Sequence, residues 1–187
     1  MKTTSFSNDS LDPFFARVVT CPHWQEVHVQ RAKNANGFNE LGELVCEVAA
    51  LMPKPLFMIS GPMTTGGMGS YSKNILLFQH TIDEALLSGV SVFNQTMLEE
   101  HLQRLVRVWL AENTHLDYCD HVLTDVYKAL LDSGHINGLY LLPDWHTSRG
   151  AKWEREVGEK LNLNLHEYPQ EWYDRAVKRT EDFFGKE

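Results

Sequence analysis

The chain has 187 residues, 43% hydrophobic and 22% charged, and its 17 basic and 25 acidic side chains give a net charge of −8. This composition suits one globular domain with its own core, plus an appendage at most, and speaks against a disordered chain. The acidic balance lacks the broad positive field that a nucleic acid or an anionic membrane surface requires, so neither is expected as a partner; a small anionic ligand is compatible, because a few local N–H groups can hold one phosphate.

Residues 1–13 are polar and end at Asp12-Pro13, and the start MKTTSFSNDS has no apolar core of a secretory signal. Phe14–Val19 is a short apolar stretch suited to a strand or a helix start. Over 26–52, Phe38, Leu41, Leu44, Val45, Val48 and Leu51 recur at helical spacing until Pro53 and Pro55 break the pattern. Leu56-Phe57-Met58-Ile59 reads as a buried strand running into Ser60-Gly61-Pro62. A Gly-, Thr- and Met-rich loop over Gly61–Gly69 leads to a helix from about Ser70, with Ile75, Phe78, Ile82, Ala85 and Leu86 inward and Gly89 as its stop.

Val90–Phe93 is a second buried strand, which completes a βαβ unit with a parallel pair. Helices are expected over 97–111 and over 120–132, the latter with Val122, Val126, Ala129 and Leu130 on one face. Gly138–Pro143 reads as a third strand, 150–161 as a helix, Leu163–His166 as a fourth strand and 170–184 as the last helix. Alternating strands and helices give an α/β class: a parallel-sheet sandwich of the Rossmann-like or flavodoxin-like kind.

In such sheets ligands bind beyond the carboxyl ends of the strands. Two loops leave strand ends there. One is Ser60-Gly61-Pro62-Met63-Thr64-Thr65-Gly66-Gly67; the other runs from Asp144 through Trp145, Ser148 and Gly150 to Glu154. The first lacks the Lys-Ser/Thr ending of a P-loop and does not fit GxGxxG. In the second, Ser148 stands where a helix begins and suits an N-cap equally well.

Together these residues resemble the nucleoside 2-deoxyribosyltransferase-like superfamily, which includes 2′-deoxynucleoside 5′-phosphate N-hydrolases. Four features over about 110 residues, Leu56 to Glu167, carry the resemblance: the turn Ile59-Ser60-Gly61-Pro62-Met63-Thr64; the helix with Asn74, Phe78, Ala85 and Leu86 before Gly89-Val90; the strand Leu139-Tyr140-Leu141-Leu142-Pro143-Asp144-Trp145; and Ser148-x-Gly150-Ala151-x-x-Glu154. The resemblance implies a nucleoside deoxyribosyltransferase-like domain over 56–187, preceded by a partly helical N-terminal extension over 1–55.

It implies that Glu154 is the nucleophile that attacks the sugar C1′ in cleaving an N-glycosidic bond, by the logic of retaining glycosidases. Asp125 matches the second acidic group. Ser60, Gly61, Pro62, Met63, Trp145, Ser148 and Gly150 match substrate-binding positions. A serine at 148 favours a nucleoside 5′-monophosphate over a free nucleoside, so hydrolysis of a (deoxy)nucleoside monophosphate is expected; base exchange and nucleotide binding without turnover are the alternatives. Asn137 stands where the family carries an aspartate, and Thr64 and Thr65 stand near the place of a loop arginine found in some hydrolases. The resemblance also implies a homodimer or larger homo-oligomer.

No cofactor is expected. Cys21, His23, His28 and Cys46 are metal-ligand types, but their spacing fits no zinc pattern, so no metal is expected. Three widely spaced cysteines do not form a disulfide framework and, with no stretch of ~18 apolar residues, a cytoplasmic protein is expected.

Overall fold

The computed structural model describes residues 23–64 and 66–185. The polar tail, Phe14–Val19, Cys21 and Thr65 lie outside the described residues. Strands β1 (Leu56–Ser60), β2 (Ser91–Phe93), β3 (Gly138–Leu141) and β4 (Asn164–Glu167) form one sheet in the order β2-β1-β3-β4, every pair parallel. The α/β parallel-sheet expectation holds. In register, Met58 lies between Phe93 and Leu139, and Ser60 lies beside Leu141.

Helices α1 (Glu26–Asn34), α2 (Phe38–Leu51), α3 (Tyr71–Leu87), α4 (Glu99–Glu112), α5 (Lys128–Asp132), α6 (Arg149–Lys160) and α7 (Gln170–Phe184) cover both faces. Side chains of a strand alternate between faces, and the core divides accordingly. Leu56, Met58, Phe93, Leu139 and Leu141 point to a large cluster with α1, α2, α4 and the segment before β3. Trp153 and Val157 of α6 pack on the same side. Ile59, Val92 and Leu142 point to a smaller cluster with Phe78, Ile82 and Ala85 of α3, Tyr168, and Trp172 and Tyr173 of α7. Strands buried on both faces explain why the sequence shows continuous apolar runs instead of alternation. Residues 24–52 share the larger core through Trp24, Ala32, Leu41, Leu44, Val45 and Val48.

The helical stretch expected over 26–52 is two helices, because the chain is extended at Ala35 and at Gly37. Leu86, expected on the inner face of α3, is 42% exposed, and Leu87 beside it is 80% exposed; in the last turn of α3 Ala85 keeps to the core, and Gly89 then turns the chain at a φ of 81°. The helix expected over 120–132 opens as a π-helical turn, Val122–Tyr127, before α5. A π turn holds more residues than the 3.6 of an α turn. Leu123, Val126 and Tyr127 therefore face inward, and Val122 is only partly covered.

Asn137 has a structural place. Its Oδ1 accepts from Leu56 N at 2.8 Å, its N–H donates to Leu56 O at 2.7 Å, and its carbonyl accepts from Asn164 N at 3.1 Å. It pins the amino ends of β1, β3 and β4, the end of the sheet away from the loops described next.

Candidate active site

β2 lies on one side of β1 and β3 on the other, so the chain reverses its progress across the sheet between them. In open α/β sheets such a switch point, beyond the carboxyl ends of the strands, is where ligands bind. Two loops leave β1 and β3 here, and they touch. A Cβ on Gly61 would fall 2.4 Å from Leu142, and one on Gly66, which has a φ of 79°, would fall 2.4 Å from Thr147 Oγ1. Gly66 therefore meets two demands only glycine satisfies: a left-handed backbone and a close neighbour.

Asn74 of α3 holds the first loop in shape. Its Oδ1 accepts from Met68 N at 2.8 Å, and its Nδ2 donates to the carbonyls of Met63 (3.2 Å) and Gly66 (3.1 Å). Asn74 is buried, while the loop groups it bonds are only partly covered. Asn74→Ala is expected to lower unfolding free energy by about 1–3 kcal/mol, since three partly buried bonds go. Urea denaturation checks this.

The second loop leads into α6. Ser148 is the N-cap: its Oγ accepts from Ala151 N at 3.3 Å, and its residue is buried. Gly150 follows, and a Cβ there would lie 3.8 Å from Ser148 Oγ and 3.9 Å from the Tyr118 hydroxyl. Arg149 stacks over the Tyr118 ring at 4.3 Å and pairs with Asp120 at 2.8 Å on the exposed rim. The free N–H groups and dipole of an α-helix start favour an anion here.

Glu154 sits on the second turn of α6, aimed at the sheet. It is 7% exposed, and its Oε2 accepts from Ser60 Oγ at 2.5 Å. Burial pushes its pKa up to about 7 from an ordinary 4.5, against the opposing pull of the Ser60 hydrogen bond. The sequence brings these two residues together from 94 positions apart. It does so because Ser60 closes β1 on the face that α6 covers.

The other expected site residues divide. Gly61 and Pro62 line the first loop beside Leu142 and Gly66. Met63 is half-buried and packs toward α3 and α7. Trp145 is half-buried against the larger core, with the Arg155 guanidinium 5.2 Å from its ring. Asp125 bonds His121 Nδ1 at 2.7 Å and accepts from the Thr124 hydroxyl at 2.9 Å, and among the described residues no hydrogen bond or ion pair joins it to Glu154. His28 and Cys46, of metal-ligand type, are otherwise employed: His28 Nδ1 accepts from Gln25 N at 3.1 Å in a capping box, and Cys46 packs on the core. Among the described residues no group of three or more His, Cys, Asp and Glu side chains is placed to hold a metal ion.

Several polar residues at this end of the sheet escaped sequence reasoning. Glu99, the first residue of α4, is buried at 3% exposure and accepts on Oε1 from the Tyr71 hydroxyl at 2.7 Å and from Gln103 Nε2 at 2.9 Å. Burial raises the Glu99 pKa above the ordinary carboxylate range. Gln95 donates to Ile59 O at 2.6 Å, while its buried Oε1 has no partner among the described residues. The Asp144 Oδ1 is likewise buried without a partner among the described residues. Gln95 and Glu99 follow directly on β2, which is the signal that could have found them. Glu99-Glu100 instead looks like an ordinary acidic first turn.

The domain is thus a parallel α/β sheet with helices on both faces and a buried carboxylate beside the carboxyl end of β1. The family model described as a domain of unknown function, DUF4406, matches residues 55–167, and the chain belongs to that family. The match spans β1 to β4 and both loops. No curated protein and no solved structure matches the chain. Among the described residues no helix is long and apolar enough to cross a membrane.

Proposed function

We propose that this protein hydrolyses the N-glycosidic bond of a (deoxy)nucleoside 5′-monophosphate, with Glu154 as nucleophile. The observation that carries the reading is the buried Glu154 carboxylate, held by Ser60 at the carboxyl end of β1, where two touching loops leave the sheet. The Glu154 carboxylate attacks C1′. The bond from C1′ to the base nitrogen breaks, and its electron pair leaves with the base, which takes up a proton. Water then cleaves the glycosyl ester, giving a sugar phosphate and returning the carboxylate. An oxocarbenium-like transition state is stabilised by a carboxylate in a water-poor setting more than it would be in water. The start of α6, with Ser148 and Arg149, supplies an anion site for the 5′-phosphate one and a half turns away along the same helix.

Chromatography for free base across ribo- and deoxyribonucleoside 5′-monophosphates and their nucleosides tests this. Release from monophosphates supports it. Release only when an acceptor base is added makes the protein a transferase, and binding without any product makes it a nucleotide-binding domain. A homodimer and a cytoplasmic setting belong to the same proposal. The two described cysteines, Cys46 and Cys119, are unbonded, in keeping with a reducing compartment.

A further inference from the structure

The π-helical turn bears on the site in a way the helical periodicity hides. Wide turns of this kind recur where a side chain is re-aimed for function. Here the turn sends Asp125 to His121 and puts Tyr127 inside, at 3% exposure. α6, which carries Glu154, packs against this turn. The Tyr127 hydroxyl has no partner among the described residues. Leaving a buried hydroxyl unpaired is destabilising, so a group that arrives and pairs with it recovers that cost.

We propose that the Tyr127 hydroxyl is a specificity-determining contact of the Glu154 site, hydrogen-bonding a hydroxyl on the sugar of the substrate. The inference rests on the reading of Glu154 as the residue facing the sugar.

The surroundings select this partner. Tyr127 lies in the field of both Glu99 and Glu154, and burial with those two charges keeps its phenol protonated well above the ordinary range. It is thus a donor at any physiological pH. An anionic group such as phosphate is disfavoured where the negative charges of Glu99 and Glu154 both act. A neutral hydroxyl fits, because it accepts from Tyr127 and can donate onward to a carboxylate. The phosphate keeps to the start of α6, where the exposed Arg149 stands.

Tyr127→Phe tests the inference, with wild type assayed beside it on ribo-, 2′-deoxy- and 3′-deoxynucleoside 5′-monophosphates. The free variant should melt at the same temperature as wild type or higher, since the lost hydroxyl has no partner to lose. KM for the best substrate should rise about tenfold, the value of one hydrogen bond of ordinary strength. The rise should shrink toward one for the analogue that lacks the contacted hydroxyl. Equal kinetics of variant and wild type on every substrate would overturn the inference while leaving the proposed function standing. So would a uniform loss across all three sugars or a marked drop in the melting temperature of the free variant, either of which marks a structural role. No base release by wild type from any compound would remove the proposed function, and the inference with it.

Discussion

Glu154→Gln abolishes base release and leaves the fold intact: that is the expected result with the largest effect. Glutamine has the size of glutamate, and its amide oxygen can still accept from Ser60 Oγ, which Glu154 does at 2.5 Å. Packing under the loops therefore survives. An amide cannot attack C1′ or balance the positive charge that develops on the sugar, so the covalent route is closed. The rate of free-base formation should fall at least about a thousandfold, in the range seen when a nucleophile is removed. Chromatography for free base and circular dichroism on the same preparation check both halves. Retained activity in a clean preparation would remove Glu154 from the mechanism. A lost signal with an unfolded variant is distinguished by the second measurement.

The parts of this molecule legible in the sequence are those governed by local rules. Leu56–Ile59 and Gly138–Leu142 are apolar runs bounded by turn residues, and each forms a strand of the parallel sheet. The last helix falls on Gln170–Phe184, in line with the expected 170–184. Ser148 is the N-cap its position before α6 suggested. Glu154 stood out only through its spacing from Ser148 and Gly150, and the fold then supplies what spacing could not: burial and the Ser60 bond.

What stayed hidden depends on long-range geometry or on departures from regular periods. The helical stretch over 120–132 was readable, but a period of 3.6 places Val122 inward and says nothing of Tyr127. The π turn reverses that order. Glu99 meets Tyr71 across 28 positions, a pairing no local pattern announces. Asn137 could be seen to replace an aspartate, yet its bonds to Leu56 appear only when β1 and β3 are laid side by side.

Stability should fall as pH rises through the neutral range, with Glu154 as a principal cause. The group has a pKa of about 7 in the folded protein and an ordinary value of 4.5 when unfolded. Between those values the folded chain keeps a proton that the unfolded chain has released. The folded state thus binds more protons, and unfolding free energy declines with rising pH across this window. Below pH 4.5 both states hold the proton and the effect vanishes; above pH 7 it is complete, at about 3 kcal/mol. Glu154→Gln has no such group. It should match wild type near pH 5 and exceed it at pH 8 by about 3 kcal/mol, or about 6–12 °C in melting temperature for a domain of this size. Glu99 shifts in the same direction, but it is present in both proteins and cancels from the comparison. Thermal melts of the pair at pH 5, 6, 7 and 8 check this, and parallel curves would show that Glu154 ionises in the folded protein as freely as in water. Activity should move the opposite way. A nucleophile must be ionised, so kcat/KM should climb with an apparent pKa near 7 in the free enzyme. The same burial that makes the carboxylate costly to charge leaves it poorly hydrated and ready to meet a cationic sugar, so the pH at which the protein becomes less stable is the pH at which it should begin to work.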